Sequence, residues 1–371
     1  MRLLAAELIR LELELARTVA SGAGEHRRRP VVLVRLETDV GRGWGECAAL
    51  AAPSYTEEHA DGAEQVLADH LLPLLLRRAG PGEGVEAALG RLAAVRGHPM
   101  AKAAIEMALL DAELRAGGRS LGVHLGATRT AVPAGATVGI GPPAAVLAEV
   151  AEAVEAGIRH VKCKIAPGAD LSIVGPVREA YPGLDLSVDA NGAYRLDRRE
   201  DLDGLRALDA LGLSAMEQPL AADDLVGHRE LCRLLDTPVL LDESVPSLGL
   251  LEASIALGAC DGVSLKPARL GGLLVARAAE RRCASAGLHA GVGGMFETGL
   301  GRAASLAVAA LPGVDLVGDL GPSERYFSPD LTEPVRLVGG ELAVPSSPGI
   351  GAEPLEEVLE AATVRSRTIR A

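Results

Sequence analysis

Five charged residues recur along the middle of the chain at nearly even steps: Lys164, Asp189, Glu217, Asp242 and Lys266. The steps are 25, 28, 25 and 24 residues, about one strand plus one helix of a repeating β/α protein. All strands of a (β/α) barrel end at one face, so residues one repeat apart converge there. Three carboxylates between two lysines at one mouth describe a divalent-metal site flanked by two proton-transfer groups. Oxygen donors with room for water and substrate suit Mg²⁺, with Mn²⁺ as the alternative. Acidic residues also cap the helices that follow barrel strands, but three on consecutive strands with lysines on both sides exceed that role. No HxH, HExxH or cysteine cluster competes as a zinc site.

Lys162 and Lys164, two apart on one strand, project from the same face. Two neighbouring ammonium groups beside a divalent cation should lower one lysine's pKa and free an amine to act as a base. Lys164, nearer the mouth, is the expected base and Lys162 its electrostatic partner; the alternative is a side chain that reaches out to solvent. Lys266 falls on the opposite side of the barrel, with the metal between. Asn191 and Glu243 stand two and one residues beyond ligand candidates and are placed to orient ligands or pair with a lysine, a structural role being equally open. Arg269 either tunes Lys266 or lies at the surface. Cys163 alternates away from both lysines and is expected to pack against the surrounding helices. A site of this kind removes a proton α to a carboxylate, with the metal stabilising the charge that develops.

The elements that must hold these groups can be read from the pattern. At 371 residues, 48% of them hydrophobic, the chain can bury a large core, and seven aromatics leave Leu, Val, Ala and Ile to fill it. A net charge of -13 argues against nucleic-acid binding. Five scattered cysteines without a CxxC pair suit a reducing cytoplasm, and charges interrupt the apolar N-terminus, so neither a signal peptide nor a membrane span is expected. Residues 3–16 and 31–38 read as strands joined by a polar loop, and 55–79 and 100–116 as helices. From 131 onward strands and helices alternate, with strands at 131–140, 160–165, 185–190, 214–219, 239–244, 262–267 and 288–293 and a weaker eighth near 315–320. The expected fold class is α/β: a modified (β/α)8-type barrel, (β/α)7β, over residues 126–324. An α+β capping domain is built from residues 1–125, and the tail 325–371 returns onto it.

The segments VKCKI, VDANGAY, MEQPL, LDES and SLKPARLGG resemble the enolase superfamily, in the lysine-pair branch that includes muconate-lactonising enzymes. GWGECAAL and AKAAIEMALLDAEL resemble the same proteins' capping and linker regions, so the likeness spans essentially the whole chain. GGMFETGLGRAASLAVAALPG and GDLGPSERYFSPDLTEP are most similar to o-succinylbenzoate synthases and N-succinylamino acid racemases. The resemblance implies that Lys164 takes the substrate proton and then assists departure of hydroxide as its conjugate acid. Lys266 would be a stabilising cation, or the second acid/base of a racemase, and Asp189, Glu217 and Asp242 would hold Mg²⁺. It implies a small-molecule carboxylate as the only ligand class, dehydrated for menaquinone biosynthesis, and a cytoplasmic homo-oligomer.

Departures from the family pattern lie around the pocket. The segment RTVASGAGEHRRRP replaces the usual mobile-loop motif, and the three arginines Arg27, Arg28 and Arg29 either meet a dicarboxylate substrate or are solvated. Phe296 stands where an aliphatic residue is expected, reshaping the pocket for a succinyl arm. The glycines from Gly291 to Gly301 offer backbone N–H groups to a carboxylate, with tight packing as the alternative. Gly293, Gly294, Met295, Phe296 and Glu297 are therefore the substrate-binding candidates. A dipeptide epimerase is disfavoured because Asp315 and Asp319 are four apart, and a non-catalytic barrel is disfavoured by the complete set of costly charges.

Overall fold

The computed structural model describes residues 1–21, 24–77 and 84–370. Strands β1 (Leu3–Ser21), β2 (Gly24–Thr38) and β3 (Gly41–Cys47) form an antiparallel meander. The polar loop expected at 18–30 is largely a continuation of this β-ribbon, with Val19 paired to His26 and Ser21 to Gly24. Opposed charges support the pairing, since Arg28 meets Glu14 at 3.3 Å across the strands.

Helix Pro99–Ala116 lies directly on β3. An added Cβ at Gly43 would stand 2.0 Å from the Ala108 carbonyl oxygen, and one at Gly45 1.9 Å from that of Ala104. Alternate glycines on the strand and alanines on the helix therefore set the separation of the two layers. The helix expected from residue 55 begins at Ala60 and runs to Arg77, with one π turn at Leu67–Leu71, because His59 is still extended.

The small strand β4 (Ala131–Pro133) is followed by seven parallel strands in sequential order. They are β5 (Gly135–Val138), β6 (His160–Lys164), β7 (Asp185–Asp189), β8 (Met216–Glu217), β9 (Val239–Leu241), β10 (Gly262–Leu265) and β11 (His289–Val292). The single strand expected at 131–140 is thus broken in two, with β4 in a different sheet. Residues Val161, Cys163, Leu186, Val188, Val263 and Leu265 are buried on the outer face, against the helices. That places Cys163 in the core as expected, and burial pushes its thiol up to about 12.

Residues 315–320 are not a regular strand but bridge the two edges. Leu316 donates its N–H to the Ala290 carbonyl, and Gly135 donates to that of Leu320. A Cβ on Gly318 would lie 1.9 Å from the Val292 oxygen, so the segment crosses its neighbours too closely for a ladder of side chains.

Beyond it, β12 (Leu337–Val338) and β13 (Glu341–Ala343) pair with β4, and β14 (Thr363–Arg370) pairs antiparallel with β1 at the edge of the first sheet. Two carboxylates of the N-terminal region join it to the barrel helices. Glu106 accepts the N–H groups of Leu273 and Leu274 at the start of helix Leu273–Ala286. Glu46 accepts those of Thr298 and Gly301 at the start of helix Gly299–Ala309.

Candidate active site

Parallel register brings the expected residues together at the strand ends. Lys164 is paired with Asp189 across β6 and β7, and Asp189 with Glu217 across β7 and β8. Asp242 and Lys266 follow β9 and β10 by one residue. β6 and β10 are separated by three strands, which sets Lys164 and Lys266 across the mouth from each other. Both line one cavity of about 290 Å³.

The two lysines of β6 have different surroundings. Lys162 Nζ lies 2.8 Å from Glu217 Oε2, 3.0 Å from Asp319 Oδ2 and 3.5 Å from Asp189 Oδ2. Burial opposes its charge, but these carboxylates hold its pKa well above the ordinary lysine value. Lys164 Nζ donates to Asp189 Oδ2 at 2.6 Å and to Asn191 Oδ1 at 2.8 Å, and its side chain reaches the cavity. Asn191 also donates to Glu243 Oε1 at 2.8 Å, so the two residues beyond the ligand candidates form one chain to the lysine.

Lys266 Nζ meets Asp242 Oδ2 and the Tyr55 hydroxyl, each at 2.7 Å, and stands 4.7 Å from the centre of the Tyr55 ring. Burial is again outweighed, by Asp242 and Tyr55, and the ammonium is favoured. Arg269 is buried rather than at the surface, with Nη1 bonded to Asp242 Oδ1 and, at 2.8 Å, to Tyr55. Against the cost of burial, Arg269 and Lys266 hold the Asp242 carboxyl well below the carboxylate range.

Sequence reasoning missed Tyr55 and Asp319. Tyr55 comes from the irregular segment after β3, and no spacing announces it. Asp319 does carry a signal, since it follows Gly293 by 26 residues and so extends the periodic series by one more unit. It accepts the Gly294 N–H at 2.7 Å as well as pairing with Lys162.

The glycine-rich segment packs rather than presents donors. Gly293 donates to Leu265, Gly294 to Asp319, Gly299 to Asp330 and Gly301 to Glu46. An added Cβ at Gly293 would lie 2.8 Å from Lys266 Cε, so the glycine makes room for that side chain. Gly294, Met295 and Phe296 line the cavity, whereas Glu297 turns away from it to Arg302 at 3.1 Å. Of the three arginines of the 18–30 segment, Arg27 and Arg28 are exposed and Arg29 is buried. Arg29 donates to the carbonyls of Ala48, Ala49 and Phe296, tying the segment before Tyr55 to the Phe296 loop. It holds the wall together instead of facing solvent or substrate.

The carboxylates fit a hard divalent cation on one observation. Glu217 Oε1 is buried and, among the described residues, has no hydrogen-bond partner. Burial, with Asp189 and Asp242 adding to it against Lys162, pushes this carboxyl up to about 8. Additional positive charge among the three would relieve that cost. As placed, no three acidic, His or Cys side chains among the described residues close into a metal shell. Lys162, Lys266 and Arg269 take up carboxylate oxygens instead.

Residues 8–126 match the mandelate racemase / muconate lactonizing enzyme N-terminal domain, and residues 145–358 the enolase C-terminal domain-like family. The chain is 44% identical to an N-succinylamino acid racemase from Amycolatopsis sp, over 98% of each chain. It is 39% identical to an o-succinylbenzoate synthase from Geobacillus stearothermophilus, over 92% of this chain and 90% of the relative. Among solved structures, an enolase-superfamily member from Listeria innocua superposes with a TM-score of 0.94 at 34% identity, covering 100% of this chain and 99% of the other.

Proposed function

The chain belongs to the enolase superfamily, and from that premise we propose that it is an o-succinylbenzoate synthase. It would remove the proton α to a carboxylate and expel water from the same face of the substrate. The substrate is a succinyl-hydroxycyclohexadiene carboxylate and the product o-succinylbenzoate, for menaquinone biosynthesis in the cytoplasm. The observation that carries this reading is the pair Lys164 and Lys266, lining one cavity beside three carboxylates on consecutive strands.

Lys164 takes the α-proton on Nζ. The C–H electrons form the new double bond as the C–O bond breaks, and the same Nζ returns its proton to the departing hydroxide. One group acting twice dictates loss from one face. Asn191 and Asp189 hold Nζ in place. Lys162 is a fixed cation among Glu217, Asp319 and Asp189, and Lys266, fixed by Asp242 and Tyr55, supplies charge on the opposite side. Asp189, Glu217 and Asp242 would hold Mg²⁺, with Mn²⁺ as the alternative, and the ion supplies positive charge to the substrate carboxylate as the α-carbon loses its proton.

Racemisation of N-succinylamino acids is the second reading, as another activity of the same site. The position of Lys266 in the same cavity favours it, and the 44%-identical relative bears that name. We further propose the division 1–125, 126–324 and 325–371, supported by the pairing of β14 with β1, and a homo-oligomeric assembly. Among the described residues no helix is long and apolar enough to cross a membrane.

The test is purified enzyme with Mg²⁺ and the cyclohexadiene substrate, following the aromatic product in the ultraviolet, with Lys164→Ala as control. Turnover that depends on Lys164 is expected. Folded, metal-loaded enzyme without turnover would remove the synthase reading, and absence of α-proton exchange on N-succinylamino acids in D₂O would remove the second.

A further inference from the structure

Arg302 lies in the first turns of helix Gly299–Ala309, and its side chain is only 1% exposed. It nevertheless forms part of the wall of the catalytic cavity. Its Nη2 meets Glu297 Oε2 at 3.1 Å, but among the described residues Nε and Nη1 have no hydrogen-bond acceptor. A buried guanidinium with two unmatched nitrogens is costly unless a ligand supplies acceptors.

The other buried arginines of the region are accounted for differently. Arg29 spends its nitrogens on backbone carbonyls. Arg269 also has two nitrogens, Nε and Nη2, without a partner among the described residues, but its Nη1 serves Asp242 and Tyr55 and it does not reach the cavity wall. The neighbouring carboxylate Glu46 is occupied by Thr298 and Gly301.

Gly294 lines the cavity beside Arg302, and a Cβ there would stand 3.2 Å from Nη2 and 3.3 Å from Nη1. Bare backbone therefore separates little of the guanidinium from a bound molecule. Phe296 and Tyr326, in edge contact with ring centres 5.5 Å apart, form an apolar flank beside it. Methylenes followed by a planar anion match that sequence of surfaces.

We infer that Arg302 receives a second carboxylate of the substrate, carried on a short apolar arm away from the reacting carbon. The inference rests on the proposed proton abstraction. It assigns the residue that recognises the second carboxylate of the proposed substrates.

The test compares N-succinyl, N-acetyl and terminal-amide N-succinamoyl derivatives of one apolar amino acid, with α-proton exchange in D₂O followed by NMR. Wild-type kcat/KM is expected to favour the succinyl derivative over its terminal amide by about 10- to 100-fold. Arg302→Met is expected to lower the succinyl kcat/KM at least about tenfold more than the N-acetyl one, and Arg302→Lys to restore part of the preference. Parallel loss on both substrates would assign Arg302 to structure alone and overturn the inference. So would a wild-type enzyme that does not distinguish carboxylate from amide, a comparison that needs no variant to fold. Exchange without discrimination leaves the proton-abstraction reading standing, whereas no exchange or turnover with any substrate overturns both.

Discussion

Glu106→Gln should change the pH dependence of stability, and the sign follows from where the carboxyl sits. Glu106 is buried in helix Pro99–Ala116, at the start of the barrel helix Leu273–Ala286. Burial, against the help of the Leu273 and Leu274 N–H groups, pushes its carboxyl from 4.5 up to about 7. The folded protein therefore binds this proton more tightly than the unfolded chain does. Its contribution is fully present below pH 4.5 and is lost as pH rises to about 7, being constant above. At about 1.4 kcal/mol per tenfold, the loss is about 3 kcal/mol. Gln keeps a carbonyl oxygen for the N–H groups but cannot ionise. Urea unfolding of both proteins at pH 5 and pH 8 isolates the effect, because every other titrating group cancels in the difference. Relative to wild type, Glu106→Gln should gain about 2.5 kcal/mol between the two pH values, the first part of the loss having already occurred by pH 5. A difference that is the same at both would show that the carboxylate is ionised in the fold throughout, and would refute the reasoning.

Lys266→Arg should abolish racemisation while leaving more of the dehydration, since only the first asks Lys266 to exchange a proton; equal loss of both in parallel assays contradicts that division. Tyr55→Phe removes a hydroxyl shared by Lys266, Arg269 and Asp242. It should lower kcat by about 10- to 100-fold, on the order of one charge-assisted hydrogen bond, with the melting temperature little changed; wild-type kcat would exclude a positioning role. Gly43→Ala should destabilise by about 3 kcal/mol or more in denaturant titration, because its Cβ would fall 2.0 Å from the Ala108 oxygen.

Strand spacing made the face of the candidate site legible because a barrel converts sequence period directly into proximity. Lys164, Asp189, Glu217, Asp242 and Lys266 needed only that rule. The closing segment was harder to read. Gly318 allows backbone to cross backbone, so the segment carries Asp319 to Lys162 without strand periodicity. Tyr55 and Arg29 were not readable as site-wall residues at all. Each acts through contacts hundreds of positions away, 211 for Tyr55 to Lys266 and 267 for Arg29 to Phe296. Arg29 was misread as facing solvent or substrate because a basic run looks the same in sequence whether its members are solvated or buried against carbonyls.

The division of labour between Lys162 and Lys164 follows from their neighbours, not from their strand. Both leave the same face of β6, yet Lys162 is enclosed by three carboxylates while Lys164 faces one carboxylate, one amide and the cavity. A lysine so enclosed is a fixed cation; the one beside it reaches the cavity, where the proposed proton transfer would take place. Asp319→Asn tests this account. Asn can still accept the Gly294 N–H through Oδ1, so the loop should keep its course, but Lys162 loses one of its balancing charges. The disturbance should cost about 2 kcal/mol in transition-state binding, about 30-fold in kcat/KM, in a protein that remains folded by circular dichroism. If Asp319→Asn turns over like wild type, the fixed-cation role of Lys162 does not depend on Asp319, and the enclosure argument fails.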